Sequence, residues 1–404
     1  MARFGTSTSS RRAIKAVLIA ASISLGAGLI LKFCPVGKER TVSLLCYSDL
    51  TLFFESRGIA QMPFPYINGG LRGNQMLPGF IEYPILTGVF AWATARLAWS
   101  PRSYLVVSAA FLATFGLITG YLLARMARWR GLLYAAAPAI VFYAFLNWDL
   151  LAVAPTVAGL WCWWRRRPQG AAVLFGVGAC AKMYPAIFVA PLVLEALFKR
   201  DWRAAAIRLV VGAGTAILIN LPFIVINPQG WLATYQFHGS RPPNIDSIWG
   251  LKFSWTFGGT SWSVDTLNLL TTALLVTSFV AVFAEGWRRA KRDDAYPFLQ
   301  VCGAALCVFL LWNKVHSPQY TLWLLPFPVL LQTNLLWWVA YMFVDALVYL
   351  NVFYLGRISL DLATPYLQIG VFGRAALLAC LTVVFLRART AVEQSDAGGL
   401  TETQ

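Results

Sequence analysis

The sequence predicts an all-helical polytopic membrane protein. Of its 404 residues, 58% are hydrophobic and only 12% are charged, whereas soluble domains have roughly 25% charged residues. The mean hydropathy of +0.63 excludes a water-soluble core. Apolar runs alternate with short basic clusters along the whole chain, which is typical of membrane-spanning helices joined by short loops.

The basic clusters predict the orientation of the chain. The sequence has 33 Lys and Arg against 17 Asp and Glu, and because these cations lie between apolar runs we interpret them as topology signals and expect no nucleic-acid partner. The clusters lie at 11–15, 125–130, 165–167, 199–203, 288–292 and 387–389. If basic loops stay in the cytoplasm, all six lie on one face and both termini are cytoplasmic.

The interval between Lys15 and Arg125 tests this orientation. It contains three apolar runs, at 16–34, 80–98 and 103–124, and an odd number of spans would put the two basic clusters on opposite faces. The middle run has only thirteen uncharged residues, from Tyr83 to Ala95, where about twenty are needed to cross. We therefore expect 16–34 to be a retained first span and 82–98 to be a helix at the outer interface.

The other apolar runs complete the predicted topology. Spans are expected at 103–124, 131–147, 149–164, 204–226, 266–287, 296–312, 319–333, 335–356 and 367–386. The run 168–198 is either a thin hairpin, which gives twelve spans, or a re-entrant pair, which gives ten. The chain is expected to form one domain, 1–404, with an extracytoplasmic loop at 35–102 that carries juxtamembrane helices and a disordered cytoplasmic tail at 390–404.

This topology places the polar motifs on the outer face. The cytoplasmic connections are short and contain no phosphate-binding Gly-rich loop, so an ATP-driven transporter is not expected. Cysteine spacing indicates no metal site, and only Cys34 and Cys46 could pair outside. Asp49 and Glu82 precede two interfacial helices, where a carboxylate can cap a helix. The alternative is that Asp49 is a general base at the boundary of water and lipid.

The outer motifs, in order, resemble glycosyltransferase family 87 of the GT-C superfamily. The residues that carry the resemblance are Tyr47-Ser48-Asp49, Glu82-Tyr83-Pro84, Asn147-Trp148-Asp149, Lys182-Met183-Tyr184-Pro185 and Asn313-Lys314-Val315-His316-Ser317-Pro318-Gln319-Tyr320. The resemblance implies a membrane glycosyltransferase that moves a hexose, mannose in the best-known members, from a polyprenyl phosphate to a lipid-linked or cell-envelope glycan. It implies that Asp49 and His316 are catalytic.

The chemistry of such a donor explains why one base suffices. The leaving phosphate is a stable anion, so it needs no general acid, unlike the leaving alcohol in glycoside hydrolysis. The base takes the acceptor proton late, and cations stabilise the phosphate as its charge grows. The expected phosphate ligands are Lys182, His316, Gln319 and Arg241, and the expected supporting or acceptor-binding residues are Glu82, Tyr83, Asn147, Asp149 and Tyr320.

Each of these residues has a simpler alternative. Lys182 could extend from a short helix to the interface, and His316 could be an ordinary loop residue. His238, with no motif around it, is interpreted as structural. A divalent metal could bind Asp49, Glu82 and Asp149, but nothing in their spacing requires one, so we expect neither a metal nor a cofactor.

The alternative function is a lipid or solute transporter or flippase without covalent chemistry. Three charged residues, Arg208, Asp345 and Arg374, fall inside predicted spans, where a charge is costly and often marks a transport path. We see no inverted repeats of the kind that transporters have. We therefore expect internal pairing or a polar cavity around these charges, and no catalytic role for them.

Overall fold

The protein is described here by a computed structural model that covers residues 8–33, 46–73, 75–250, 263–355 and 360–392. Almost all of this part is helical. In chain order the helices are α1 (Thr8–Lys32), α2 (Asp49–Ser56), α3 (Ile85–Ala95), α4 (Pro101–Ala127), α5 (Leu132–Ala135), α6 (Pro138–Tyr143), α7 (Leu150–Trp164), α8 (Pro168–Ala181), α9 (Val189–Phe198), α10 (Trp202–Ile226), α11 (Pro228–Ser240), α12 (Val264–Asp293), α13 (Phe298–Trp312), α14 (Thr321–Leu324), α15 (Pro326–Leu330), α16 (Leu335–Leu350) and α17 (Leu360–Arg387).

Short elements complete the described chain. The 3₁₀ turns are Arg128–Gly131, Tyr184–Phe188 and Pro318–Tyr320, and a π-turn follows α16 at Asn351–Leu355. Two small antiparallel ladders pair β1 (Leu71–Arg72) with β2 (Gln75–Met76) and β3 (Leu331–Gln332) with β4 (Arg389–Thr390).

Six helical segments within the described residues are long and apolar enough to cross a membrane, which confirms the predicted all-helical polytopic class. They are α1, α4 with its continuation through α5, α10, α12, α16 with part of the π-turn, and α17. Five further apolar helices have only 10 to 17 residues. The count of twelve spans therefore stays a prediction.

Helix α3 has the short length that the parity of basic clusters predicts. Its eleven residues extend about 16 Å, about half of a typical hydrocarbon core. Thr87 of α3 donates a hydrogen bond to the carbonyl of Ala181 at the end of α8, over 2.7 Å. The Tyr66 hydroxyl donates to the backbone carbonyls of Tyr83 and Pro84, just before α3. Gly88 makes room for this hydroxyl, because a Cβ at position 88 would lie within 2 Å of it.

Two predicted spans are wrong as continuous helices. The run 131–147 is divided between α5 and α6, and the run 319–333 is divided into a 3₁₀ turn, α14, α15 and β3. Proline explains both interruptions, because its ring removes a helix hydrogen bond and clashes with the preceding turn. Pro138 begins α6 and Pro326 begins α15.

The run 168–198 forms the two short helices that both of its alternatives require. α8 ends at Ala181, the chain turns through Lys182, and a 3₁₀ turn leads into α9. α8 packs against α7 and α10. The choice between a hairpin and a re-entrant pair stays open.

The C-terminal tail begins in an ordered ladder, so its predicted disorder is wrong for its first residues. Thr390 pairs with Leu331, and the amide of Ala391 donates to the carbonyl of Leu330 over 2.8 Å. Residues 393–404 lie outside the described residues. Cys46 is disulfide-bonded, and Cys34, its predicted partner, lies outside the described residues.

The charges inside the bundle are paired, which is the first of the two explanations expected for them. Arg374 Nη1 lies 3.2 Å from Asp345 Oδ1, and Arg208 Nη1 lies 2.9 Å from Glu195 Oε2. Charged partners at this distance offset much of the cost of burial. These residues therefore have a structural explanation that needs no transport path.

Candidate active site

A cavity of about 660 Å³ lies where α2 meets the beginning of α7 and the ends of α8 and α13. It collects most of the site residues that the sequence predicts. Those that line it are Asp49, Glu82, Tyr83, Asn147, Lys182, Arg241, Gln319 and Tyr320. His316 and Asp149 lie behind the lining, as described below.

Asp49 is held by two side chains and does not cap its own helix. The N-cap of α2 is Ser48, whose Oγ accepts a hydrogen bond from the amide of Leu50 and donates one to the carbonyl of Phe145. Tyr47 Oη donates to Asp49 Oδ1 over 2.7 Å, and Asn147 Nδ2 donates to Asp49 Oδ2 over 2.6 Å. The capping interpretation of Asp49 is therefore wrong, and its carboxylate is fixed at the cavity wall.

Asn147 connects the carboxylate to the nearest cation. Its Nδ2 also donates to Tyr83 Oη over 2.8 Å, while its Oδ1 accepts a hydrogen bond from Lys182 Nζ over 3.2 Å. An amide has two donor hydrogens and one acceptor oxygen, so this residue orders Asp49, Tyr83 and Lys182 at once. A single side chain sets the spacing between the acid and the ammonium.

Lys182 points into the protein and does not extend toward water. Only 7% of the residue is exposed, and its Nζ lies 3.6 Å from Asp149 Oδ1 and 4.7 Å from the centre of the Tyr83 ring. Asp149 is fully buried and accepts a hydrogen bond from Trp323 Nε1 over 2.8 Å. Asp149 therefore neutralises and positions Lys182 from behind, while the ammonium still lines the cavity.

His316 is buried next to the cavity wall. Its imidazole stacks on Tyr320 with ring centroids 6.3 Å apart, and its Nε2 has no hydrogen-bond partner in the described chain. Burial keeps the pKa of His316 well below its usual range, and the nearby Arg374 guanidinium acts in the same direction, so the imidazole is neutral. Its contact with a donor phosphate stays a prediction.

A second group of side chains closes the side of the cavity near α3. Arg57 Nη2 lies 3.0 Å from Glu82 Oε1, and His238 Nε2 lies 2.7 Å from the carbonyl oxygen of Glu82. Glu82 does not cap α3, because the helix begins after Pro84 and has no side-chain cap. Both Arg57 and His238 line the cavity, and the sequence interpretation assigned neither of them to the site.

Asp246 is a further lining residue that sequence reasoning missed. It is 4% exposed, its Oδ1 has no hydrogen-bond partner among the described residues, and burial raises its pKa to about 6 despite the nearby Arg374. Arg241 Nη2 bonds to Asn244 Oδ1 over 2.7 Å in the same loop. No motif surrounds Asp246, and its only signal is a carboxylate in a loop rich in aromatic residues.

The carboxylates of the site are spread over different walls of the cavity. Among the residues that the structure describes, no three His, Cys, Asp or Glu side chains are grouped closely enough to hold a metal ion. Asp49 accepts from Tyr47 and Asn147, Glu82 pairs with Arg57, and Asp149 pairs with Lys182. Each of these three carboxylates therefore has at least one protein partner, while Glu82 Oε2 and Asp149 Oδ2 have none among the described residues.

The sequence of the chain matches the model of a known family. Residues 80–312, more than half of the chain, match the model of glycosyltransferase family 87. The chain belongs to glycosyltransferase family 87. This family 87 protein is therefore a membrane glycosyltransferase, as the resemblance of its motifs implies. No curated protein matches the chain. The matched range contains Glu82, Asn147 and Lys182, while Asp49 and His316 lie outside it.

Proposed function

We propose that this family 87 enzyme transfers a hexose, mannose as our first choice, from a polyprenyl phosphate to a lipid-linked or cell-envelope glycan. The main support for the proposal is the series of hydrogen bonds that joins Asp49 to Asn147 and Asn147 to Lys182. These bonds, of 2.6 and 3.2 Å, hold a carboxylate and an ammonium on one wall of the cavity. A sugar phosphate needs both: a base beside the acceptor hydroxyl and a cation beside the leaving phosphate.

In the proposed reaction the acceptor oxygen attacks the anomeric carbon of the donor from the face opposite the phosphate. The new carbon–oxygen bond forms as the bond to the phosphate oxygen breaks, so the anomeric configuration inverts. The acceptor proton passes to Asp49, and polyprenyl phosphate leaves as an anion. Tyr47 and Asn147 hold the two oxygens of Asp49, which orients the base without occupying all of its lone pairs.

Lys182 and Arg241 are the proposed phosphate ligands, with Gln319 as a neutral donor. All three line the cavity, and Asp149 keeps the ammonium of Lys182 oriented from behind. His316 supports this group through Tyr320, and Glu82, Tyr83 and Tyr320 provide acceptor contacts. The basic clusters support a cytoplasmic position for both termini and an extracytoplasmic position for the cavity. We propose no metal or cofactor requirement.

The donor class is tested with purified enzyme in proteoliposomes. Wild type should transfer hexose from a synthetic polyprenyl-phosphate hexose to glycolipid acceptors extracted from membranes, and should not use a nucleotide sugar. The variant Asp49→Asn should lose transfer, while Glu55→Gln, an exposed carboxylate on the same helix, should keep it. Transfer from the nucleotide sugar alone would reject the proposed donor.

A further inference from the structure

A second recess, of about 860 Å³, lies at the end of the helix bundle opposite the active site. α7 begins next to the active-site cavity, and Trp163 near its end lines the recess. α9 leads away from the cavity, and its last residue, Phe198, also lines the recess. A helix of the length of α7 extends about 22 Å. The two openings are therefore at opposite ends of the same helices.

Basic side chains surround this recess. The cations that line it are Lys199, Arg200 and Lys291. Glu195, which also lines it, is already neutralised, because its oxygens lie 2.9 Å from Arg208 Nη1 and 3.2 Å from Lys199 Nζ. Within the described chain, Arg200 and Lys291 have no carboxylate at ion-pair distance. Among the described residues of the wall, two cations are thus left for a ligand, and Asp294 is the acid without an ion-pair partner.

The wall of the recess also contains a buried polar group, in Tyr296, that lacks a partner among the described residues. Tyr296 is 7% exposed and lines the recess, and its hydroxyl has no hydrogen-bond partner among the described residues. Buried donors without partners are uncommon. The Tyr296 hydroxyl therefore indicates that a ligand with an acceptor oxygen completes this site.

The aromatic residues of the recess favour a lipid as this ligand. Trp163 and Trp287 line it together with Phe198, and tryptophan at helix ends is typical of the headgroup level of a membrane. Clustered Lys and Arg at this level attract anionic lipid phosphates. Arg200 holds a positive φ of 56° at the end of α9, a conformation that costs a non-glycine residue energy, and it places a cation where a glycine is the usual choice.

We propose that this recess binds the phosphate headgroup of an anionic phospholipid, at the membrane face opposite the glycosyl-transfer cavity. The headgroup phosphate contacts Arg200 and Lys291, its glycerol lies between Trp163 and Trp287, and its acyl chains extend along the apolar helix surfaces. A soluble phosphate would satisfy the cations but would make no use of the aromatic wall.

The test uses full-length enzyme in detergent and native mass spectrometry with phosphatidylglycerol and phosphatidylcholine as probes. Replacing Arg200 and Lys291 by Gln should weaken retention of phosphatidylglycerol about tenfold or more and leave phosphatidylcholine unchanged. The matched control replaces Arg166 and Arg167 by Gln. Arg166 has the same positive φ at the end of α7, and neither residue lines the recess, so this control should retain the lipid as wild type does.

The remaining outcomes each decide the proposal. Equal loss of phosphatidylglycerol in both double variants would assign binding to the general basic surface and would overturn the proposal that the recess binds the lipid. Unchanged binding in the Arg200 and Lys291 variant would overturn it as well. Millimolar inorganic phosphate should not displace the lipid, and displacement would reassign the recess to a soluble phosphate. Both double variants should have wild-type thermal unfolding and wild-type glycosyl transfer in phosphatidylcholine, which separates this result from any failure of the proposed function.

Discussion

At the residue scale, the site depends on one amide. Asn147 Nδ2 bonds to Asp49 and Tyr83, and its Oδ1 accepts from Lys182. Asn147→Ala removes all three contacts and leaves every charged side chain of the site in place. Because a displacement of about 1 Å in a catalytic group can slow a reaction about a hundredfold, we expect the turnover number to fall about a hundredfold. The measurement is a steady-state rate with saturating donor, and Asn268→Ala, outside the cavity lining, serves as the control. A turnover number within twofold of wild type would show that Asn147 does not position the base.

Asp246 gives a prediction for pH dependence. Burial raises its pKa from a usual 3.8 to about 6, so the folded protein binds this proton more tightly than the unfolded chain. The resulting stability is fully present below pH 3.8 and is lost as the pH rises through 6, on the order of 3 kcal/mol in total. Asp246→Asn mimics the protonated form. The variant should match wild type in thermal unfolding at pH 4 and exceed it at pH 7, and identical pH profiles would contradict this assignment.

The sequence identified the site residues that belong to a short motif. It missed the residues that only the packing of distant segments brings to the cavity. Asp49, Asn147 and Lys182 stand in short motifs, and the structure brings them together on one wall. Arg57, His238 and Asp246 stand in no motif. They follow α2, lie on α11 and lie in the loop after α11, respectively, and only the packing of these elements brings them to the cavity. The environment of His316 could not be predicted either, since Arg374, which donates to its backbone carbonyl, comes from α17, almost sixty residues along the chain.

At the element scale, α17 anchors two loops of the active site through Arg374. Its Nη2 donates to the carbonyl oxygens of Asp246 and His316, and its Nη1 pairs with Asp345 on α16. Arg374→Met would leave a buried carboxylate unpaired, and we expect a loss of about 3 to 5 kcal/mol in stability. The double variant with Asp345→Leu should recover most of the thermal stability without recovering activity, because the loop carbonyls still lack their donor.

The buried pair Arg208–Glu195 is the control for this prediction. It has similar geometry, with 2.9 Å between nitrogen and oxygen, but it lies away from the active-site loops. Arg208→Met combined with Glu195→Leu should therefore leave glycosyl transfer unchanged. Recovery of activity in the Arg374 and Asp345 double variant would show that the loops do not need this anchor.

Hydropathy predicted where the long helices lie in the sequence, but it did not predict where helices are interrupted. The long helices lie close to their predicted ranges because their apolar runs exceed the thickness of a bilayer. The runs 131–147 and 319–333 are also apolar, and the prediction of their spans rested on hydropathy without regard to Pro138 in the first run or to Pro326 and Pro328 in the second. The ladder between Leu331 and Thr390 joins segments almost sixty residues apart, and neither strand has a pattern of its own.

At the scale of the whole molecule, the distribution of charge separates two ends of one bundle. One end holds the cavity with Asp49 and Lys182, and the other holds the recess with Arg200 and Lys291. If basic loops are cytoplasmic, a membrane-impermeant thiol reagent applied outside intact cells should label Met183→Cys, whose side chain is exposed beside the cavity. The same reagent should not label Arg166→Cys, at the opposite end. Reversed labelling would place the active site in the cytoplasm.

The central claim is that Asp49 and Lys182 act on one sugar phosphate in different roles. The most direct test is a single-turnover experiment in nanodiscs that measures donor affinity and transfer rate separately. Asp49→Asn should bind the polyprenyl-phosphate hexose with near wild-type affinity and transfer it at least about a hundredfold more slowly, while Lys182→Met should bind it more weakly. A wild-type single-turnover rate in Asp49→Asn would contradict the account.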